Sequence, residues 1–219
     1  MTDKRSVAER CSAAAKEYDS SKGAQGWRGP EAVFGLMYAS VGSGDSLLDI
    51  GIGTGLGSVL FHKAGLLVHG MDLSREMLDV CREKNIAEEL KVHDLTLDPY
   101  PYTTASLHHA VCIGVLNHFE SLDLVFREVS RILKDNGIFG LVVVDRNPEE
   151  ASSFDVEHAG SRHTMFRHCK AEISDLLGNH GFEFLRELEF TVPAHKAGSQ
   201  PMRMKAYAVR RMKRIEPEN

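Results

Sequence analysis

The stretch LLDIGIGTGLG, Leu47 to Gly57, places four glycines within seven residues directly after an apolar run, with Asp49 just ahead of them. Glycine is the residue of choice where backbone must turn through left-handed conformations or lie close against a ligand. A loop of this kind, leaving an apolar strand and entering a helix, turns bare amides and a helix N-terminus towards whatever it binds.

The spacing discriminates between ligands. Dinucleotide enzymes use G-x-G-x-x-G, in which the last glycine permits tight helix–strand packing. Counted from Gly51 that position is Leu56, and counted from Gly53 it is Ser58, so neither register fits. A Walker-type phosphate loop requires a Gly-Lys-Ser/Thr ending, which this stretch lacks. The spacing that fits is D-x-G-x-G-x-G, formed by Asp49, Gly51, Gly53 and Gly55. A carboxylate ahead of the loop suits a ligand carrying positive charge and opposes a pyrophosphate.

The rest of the chain bounds the reading. Its 219 residues suit one domain, or one domain with an appended element. With 42% apolar and 26% charged residues and no repeat or low-complexity tract, the composition is that of an ordinary globular protein. A net charge of −5 offers no footprint for nucleic-acid phosphates, so no nucleic-acid partner is expected. Cys11, Cys81, Cys112 and Cys169 lie far apart without a C-x-x-C motif, which points to free thiols in a reducing compartment. The longest apolar run, IFGLVVV, is strand-sized against the ~20 residues of a membrane span, and no secretory or transit signal opens the chain. No membrane association is therefore expected, and the location expected is cytoplasmic.

Val7, Cys11, Ala14, Ala15 and Tyr18 recur at helical spacing, and Pro30 is placed to start a second helix through Tyr38. From Ser46 the texture changes. Apolar runs at 46–50, 66–71, 90–92, 107–113 and 138–144 alternate with helical stretches. The clearest helix carries Leu122, Val125, Phe126, Val129, Ile132 and Leu133 on one face, with Ser121 as cap and Gly137 as stop. Another carries Cys169, Ile173, Leu176 and Leu177 and ends at Gly181. Continuous apolar strands alternating with helices predict a parallel sheet covered on both faces. Towards the end, Phe182, Phe184, Leu188, Phe190 and Val192, then Met202, Met204, Ala206 and Ala208, recur with period two, predicting an antiparallel pair joined by a loop containing Pro193. The fold expected is α/β, three-layer and doubly wound, with a mostly parallel sheet and an antiparallel last strand. Residues 1–45 are read as a helical lid segment and 46–219 as one compact domain.

At D-x-G-x-G-x-G the chain resembles the class I S-adenosylmethionine-dependent methyltransferases, and the resemblance extends from about Ser46 to the C-terminus. VHGMDLSREML ends a strand with Asp72, KVHDLTLD puts Asp94 at the next strand end, and AVCIGVLNHF matches the fourth-strand segment of small-molecule members. The resemblance implies a seven-stranded Rossmann-like sheet, S-adenosylmethionine as cofactor and S-adenosylhomocysteine as product. It implies that Asp49, Gly51, Ile52, Gly53 and Gly55 receive the cofactor's amino-acid end. Asp72 would hold the ribose hydroxyls, Leu73 and Met77 would flank the adenine, Asp94 and Leu95 would meet its amine edge, and the backbone around Ile113 would follow the methionine arm. A strand-end aspartate also serves as an ordinary cap, and Leu73 and Met77 also read as core. One departure stands out. Members commonly open the fourth strand with an aromatic–aspartate pair, where this chain has Leu107, His108 and His109.

For the acceptor side, the resemblance places His118, just after the fourth strand, towards the transferred methyl. It is suited to proton removal, with an ordinary pKa of ~6.5, or to packing and cofactor contact. The segment after strand five, from Asp145 to Ile173, is longer than an ordinary connection, and in this fold such a segment often covers the acceptor. Its Arg146, His163 and Arg167 suit an anionic acceptor, the alternative being a solvated loop. Tyr18, Trp27 and Arg28 supply the other wall, with Trp27 either closing the pocket or plugging the core edge. His158, His163 and His168, spaced by five, do not share a helix face, so no metal is expected. The fourth-strand segment lacks the N/D-P-P-Y/F clamp for planar amines, which favours a small-molecule acceptor. Two other classes compete: a cofactor-binding sensor or partner subunit without turnover, and a nicotinamide-dependent oxidoreductase. The sequence is silent on oligomeric state.

Overall fold

Strand β1 (Ser46–Ile50) is buried at four of its five residues and lies inside the sheet, paired along both edges. The structure is a computed structural model that describes residues 15–158, 161–194 and 200–213. Around β1 lie β2 (Leu67–Asp72), β3 (Glu89–Val92), β4 (Leu107–Cys112) and β5 (Leu133–Val144), all mutually parallel. The sheet ends with β8 (Phe182–Val192) and β9 (Met202–Arg211), giving seven strands in the order β3-β2-β1-β4-β5-β9-β8. Only β9 runs against the others: it is antiparallel to both of its neighbours. This is the mixed seven-stranded, Rossmann-like sheet that the resemblance implies.

Alternate residues of each strand enter two separate cores, which makes the molecule three layers deep. On one face Leu48, Ile50, Cys112, Phe139 and Leu141 pack against helix α5 (Asp123–Ile132) and helix α6 (Lys170–Asn179). On the other, Leu47, Val68, Val111 and Val142 pack against α2 (Gly29–Met37), α3 (Val59–Lys63) and α4 (Arg75–Glu83). Ahead of them lies α1 (Tyr18–Ala24), preceded by a 3-10 turn at Ala15–Glu17; the expected positions Val7, Cys11 and Ala14 fall outside the described residues. Helix α2 begins with Pro30 in its first turn, as expected, and Val33 and Met37 are wholly buried. It therefore belongs to the core. Gly140 of β5 lets it approach: a Cβ there would lie 2.4 Å from Met37 Sδ and 2.5 Å from Val33 Cγ1.

Four local expectations are corrected. Helix α5 stops at Ile132 and not at Gly137, because Leu133 turns to extended backbone (φ −69°, ψ 141°) and joins β4 opposite Leu107. Gly137 lies within β5, where a Cβ would sit 2.4 Å from the His108 carbonyl oxygen. The single apolar face expected of β8 does not form: a bulge between Phe184 and Arg186 breaks the alternation, leaving Phe184 and Leu188 exposed on an edge strand. The segment after β5 is not a loop but an antiparallel hairpin of β6 (Ser153–His158) and β7 (Ser161–Phe166). Finally, β9 is buried on both faces, Met204, Ala206 and Ala208 towards one core and Tyr207 and Val209 towards the other, because it is inserted between β5 and β8.

The departure at the start of β4 also has a structural meaning. His109 is buried, and its Nδ1 accepts from the Ile138 amide at 3.2 Å, so the ring proton sits on Nε2, 3.1 Å from Asp45 Oδ2. Burial lowers its pKa more than Asp45 raises it, which keeps the ring neutral. The pair ties β4 to β5 and to the turn before β1 at the end of the sheet opposite the glycine loop. Among the described residues no helix is long and apolar enough to cross a membrane.

Gly140→Ala is expected to lower stability by about 1–3 kcal/mol through overpacking at the α2 contact. A lower urea midpoint with an unchanged slope is the signature to measure.

Candidate active site

The glycine loop leaves β1 at the carboxyl edge of the sheet, where ligands bind in open α/β folds. Gly51, Gly53 and Gly55 all take left-handed conformations, with φ of 73°, 54° and 84°. Their surroundings separate their roles. A Cβ on Gly51 would lie 2.5 Å from Val115 Cγ2, and one on Gly55 2.4 Å from Ile86 Cδ1. Protein side chains fill those spaces. At Gly53 the only atom within reach is Asp72 Oδ2, at 4.0 Å, so this glycine alone of the three leaves room beside the site's carboxylate.

Asp49 and Asp72 are brought together at the ends of adjacent strands. Asp49 is 2% exposed, and its Oδ2 accepts a 2.6 Å bond from Ser58 Oγ. Burial, with the Asp72 charge adding to it, lifts its carboxyl to about 7 against the Ser58 bond. Asp72 Oδ2 accepts from the Gly53 amide at 2.9 Å and Oδ1 from the Ser74 amide at 2.8 Å. Burial raises its pKa as well, opposed by those amides. Each carboxylate oxygen offers two lone pairs, so Asp72 retains acceptor capacity beyond the two amides. Ser74 in turn caps α4 by accepting from the Met77 amide at 3.2 Å.

The remaining expected cofactor residues frame this pair. Leu73 is 39% exposed beside Asp72, whereas Met77 is buried and Ile52 and Leu95 are buried in the cores. Ile52 fills the space that Gly70 leaves open on β2. Asp94, beyond β3, accepts from the Thr96 amide at 2.9 Å and the Thr96 hydroxyl at 2.8 Å. Ile113, leaving β4, packs 3.5 Å from where a Gly57 Cβ would sit.

On the acceptor side, His118 closes a 3-10 turn, Leu116–His118, whose amide bonds the Val115 carbonyl at 3.0 Å. Buried His168 holds that turn through Nε2 and the Phe119 carbonyl at 3.1 Å. The Trp27 ring lies over the β4 exit, 3.4 Å from where a Gly114 Cβ would be, and 5.9 Å from the Phe190 ring. Trp27 and exposed Arg28 line a pocket of about 220 Å³ with Leu56 and Val59, and Tyr18 sits half-buried in α1. The hairpin residues are engaged elsewhere. Arg146 binds Glu172 and the carbonyls of Asn147, Pro148 and Glu150, and Arg167 binds the Ala151 and Ser153 carbonyls and covers the Phe154 ring at 4.0 Å. His163 lies on β7 opposite Val156. Among the described residues no group of three or more His, Cys, Asp or Glu side chains is placed to hold a metal.

Sequence reasoning missed Ser58, whose place nine residues after Asp49 carries no signal until the loop folds back. It also missed Asp19, Thr54 and Lys84, which meet across separations of 30 to 65 residues.

Residues 48–141 match the family model described as a methyltransferase domain. A malonyl-[acyl-carrier protein] O-methyltransferase of Serratia marcescens is 30% identical over 136 residues, covering 62% of this chain and 51% of that protein. An S-adenosylmethionine-dependent methyltransferase of Methanosarcina mazei superposes with a TM-score of 0.69 at 18% identity, over 81% of this chain and 97% of its own. A chain from the complex between the Haloferax volcanii Trm112 methyltransferase activator and a methyltransferase superposes at 0.74, with 18% identity, over 96% and 100%. The chain spans about half the length of the curated relatives it matches. Residues 48–141 thus match a methyltransferase domain, and these solved structures share the fold of this chain.

The raised Asp49 pKa sets a pH dependence. A carboxyl whose folded pKa exceeds its unfolded value stabilises the fold most below ~4 and loses that contribution as pH rises towards 7. Asp49→Asn, which keeps an acceptor for Ser58, should therefore gain stability relative to wild type between pH 5 and pH 8. The limit over that window is roughly 3 kcal/mol, since about two of the pKa units lie above pH 5, each ~1.4 kcal/mol. Unfolding midpoints of both proteins at the two pH values provide the check.

Proposed function

We propose that this protein transfers a methyl group from S-adenosylmethionine to a small-molecule acceptor. The observation that carries the reading is the pair of carboxylates, buried Asp49 and half-buried Asp72, with Asp72 beside the open Gly53 position. Two carboxylates in one another's field favour a cationic ligand and disfavour a dinucleotide pyrophosphate. The donor set fits S-adenosylmethionine, which supplies an electrophilic methyl group on a positively charged sulfur.

The chain's own residues then bind, orient and exclude water. Asp49 supplies negative charge for the ammonium end, and Gly53 gives it room. Asp72 accepts from the ribose hydroxyls while keeping its bonds to Gly53 and Ser74. Asp94 faces the adenine amine, with Leu73 as the exposed apolar wall; Met77, Ile52 and Leu95 support that wall from buried positions. Ile113 and Gly114 border the methionine arm under Trp27. His118 removes a proton from the acceptor or positions it, and Tyr18 and Arg28 complete the acceptor wall. Alignment of the acceptor accounts for most of the rate enhancement in such a site.

A neutral hydroxyl-bearing acceptor is favoured over an anionic one, because Arg146 and Arg167 are already engaged by carboxylate and carbonyl oxygens. The O-methyltransferase name of the Serratia marcescens relative supports oxygen as the acceptor atom, and the malonyl group it names offers a carboxylate oxygen.

Calorimetric titration tests the cofactor. S-adenosylhomocysteine is expected to bind in the micromolar range, at least about tenfold more weakly to Asp72→Ala, with NADH as a silent control. Binding of NADH and of neither sulfur compound overturns the reading. Because the ligand's ammonium favours ionised Asp49, binding below pH 7 expels a proton. Affinity should rise from pH 6 to about 7 and then level, and in Asp49→Asn that rise should vanish.

A further inference from the structure

The glycine loop is held from two sides. On the sheet side the Gly53 amide donates to Asp72. On the opposite side the next residue, Thr54, is 1% exposed and is held by two distant charged residues. Its hydroxyl donates to Asp19 Oδ1 of α1 at 2.6 Å, and its carbonyl accepts from Lys84 Nζ at 2.7 Å. Lys84, at the C-terminus of α4, also bonds the other Asp19 oxygen, which closes a three-membered ring of contacts. Asp19 and Lys84 are 38% and 27% exposed, so the ring is open to water on one side and can separate without unfolding the core.

The loop has reason to need this hold. Its three left-handed glycines have more backbone freedom to lose than any other residues, so an unanchored loop would sample many conformations besides the one that binds. Helix α1 contributes no buried side chain, so its attachment depends on contacts of this kind. Two residues, Gln25 and Gly26, separate it from Trp27, whose ring covers Gly114 at the β4 exit.

We infer that Asp19 and Lys84 are positioning residues of the cofactor site: acting through Thr54, they fix the glycine loop and couple docking of helix α1 to cofactor affinity. The inference rests on the cofactor reading above. Coupling is reciprocal, so a ligand that binds the fixed loop must tighten α1 by the same factor.

Trp27 is the single tryptophan, and its fluorescence reports α1 docking without a label. Asp19→Asn and Lys84→Met are each expected to shift ligand-free Trp27 emission to longer wavelength and to weaken S-adenosylhomocysteine by about five- to tenfold. The double variant should bind within about twofold of the weaker single, since either change opens the same ring. Lys84→Arg, which preserves charge and donors, should recover most of the affinity. Saturating S-adenosylhomocysteine should return the single variants' emission towards that of wild type. Circular dichroism confirms that each variant is folded. Affinity within about twofold of wild type and unchanged emission, with Asp72→Ala still weakened, overturns the inference and leaves the cofactor reading intact. If wild type binds no S-adenosylhomocysteine, the cofactor reading falls; the ligand-free emission then decides the coupling of α1 to the loop, and an unshifted spectrum overturns it.

Discussion

A buried carboxylate and a half-buried one within each other's field are the constraint on which the carboxyl edge of the sheet depends. Asp49 and Asp72 end adjacent parallel strands, so the register of β1 on β2 brings them together. Burial opposes ionisation of both, and only specific donors moderate it: the Ser58 hydroxyl for one, the Gly53 and Ser74 amides for the other. Those same donors shape the loop. The bond that moderates Asp72 is the bond that fixes Gly53, so the electrostatics and the conformation of the cradle are one arrangement.

Within that arrangement the glycines divide the work unequally. Gly51 and Gly55 adopt conformations that favour glycine and yield their side-chain space to Val115 and Ile86. They serve packing between the loop and its neighbours. Gly53 instead borders Asp72, whose Oδ2 would lie 4.0 Å from a Cβ there. A motif that looks uniform on paper thus contains two packing positions and one beside a carboxylate.

The region expected to face the acceptor is built differently, from elements remote in sequence. The segment leaving β5, α6 and the turn carrying His118 are connected by His168 and by the Arg146–Glu172 contact. Arginines that read as anion receptors when spaced along the chain become struts once folded, because carbonyl groups leaving β5 lie closer than any ligand. This region also holds the hairpin that no periodicity announced: its strands are half-exposed and mixed in polarity, so neither period-two nor continuous apolar patterning marks them.

Much of the sheet and of the glycine loop was legible from the sequence. Continuous apolar runs at β1, β2, β4 and β5 require cover on both faces, and that requirement is local to each run. D-x-G-x-G-x-G shows a carboxylate entering a left-handed loop, because Gly51, Gly53 and Gly55 carry their conformational allowance in their own covalent structure. What residues 1–45 do could only be expected: α2 turned out to contribute Val33 and Met37 to the core, and α1 to bind Thr54 through Asp19. The end of α5, the exposure of Phe184 after a bulge, the insertion of β9 between β5 and β8, and the ring of Asp19, Thr54 and Lys84 were decided by the tertiary structure. Each depends on which distant group occupies a given space or accepts a given hydrogen bond. A sequence lists the groups; only the folded chain sets their distances.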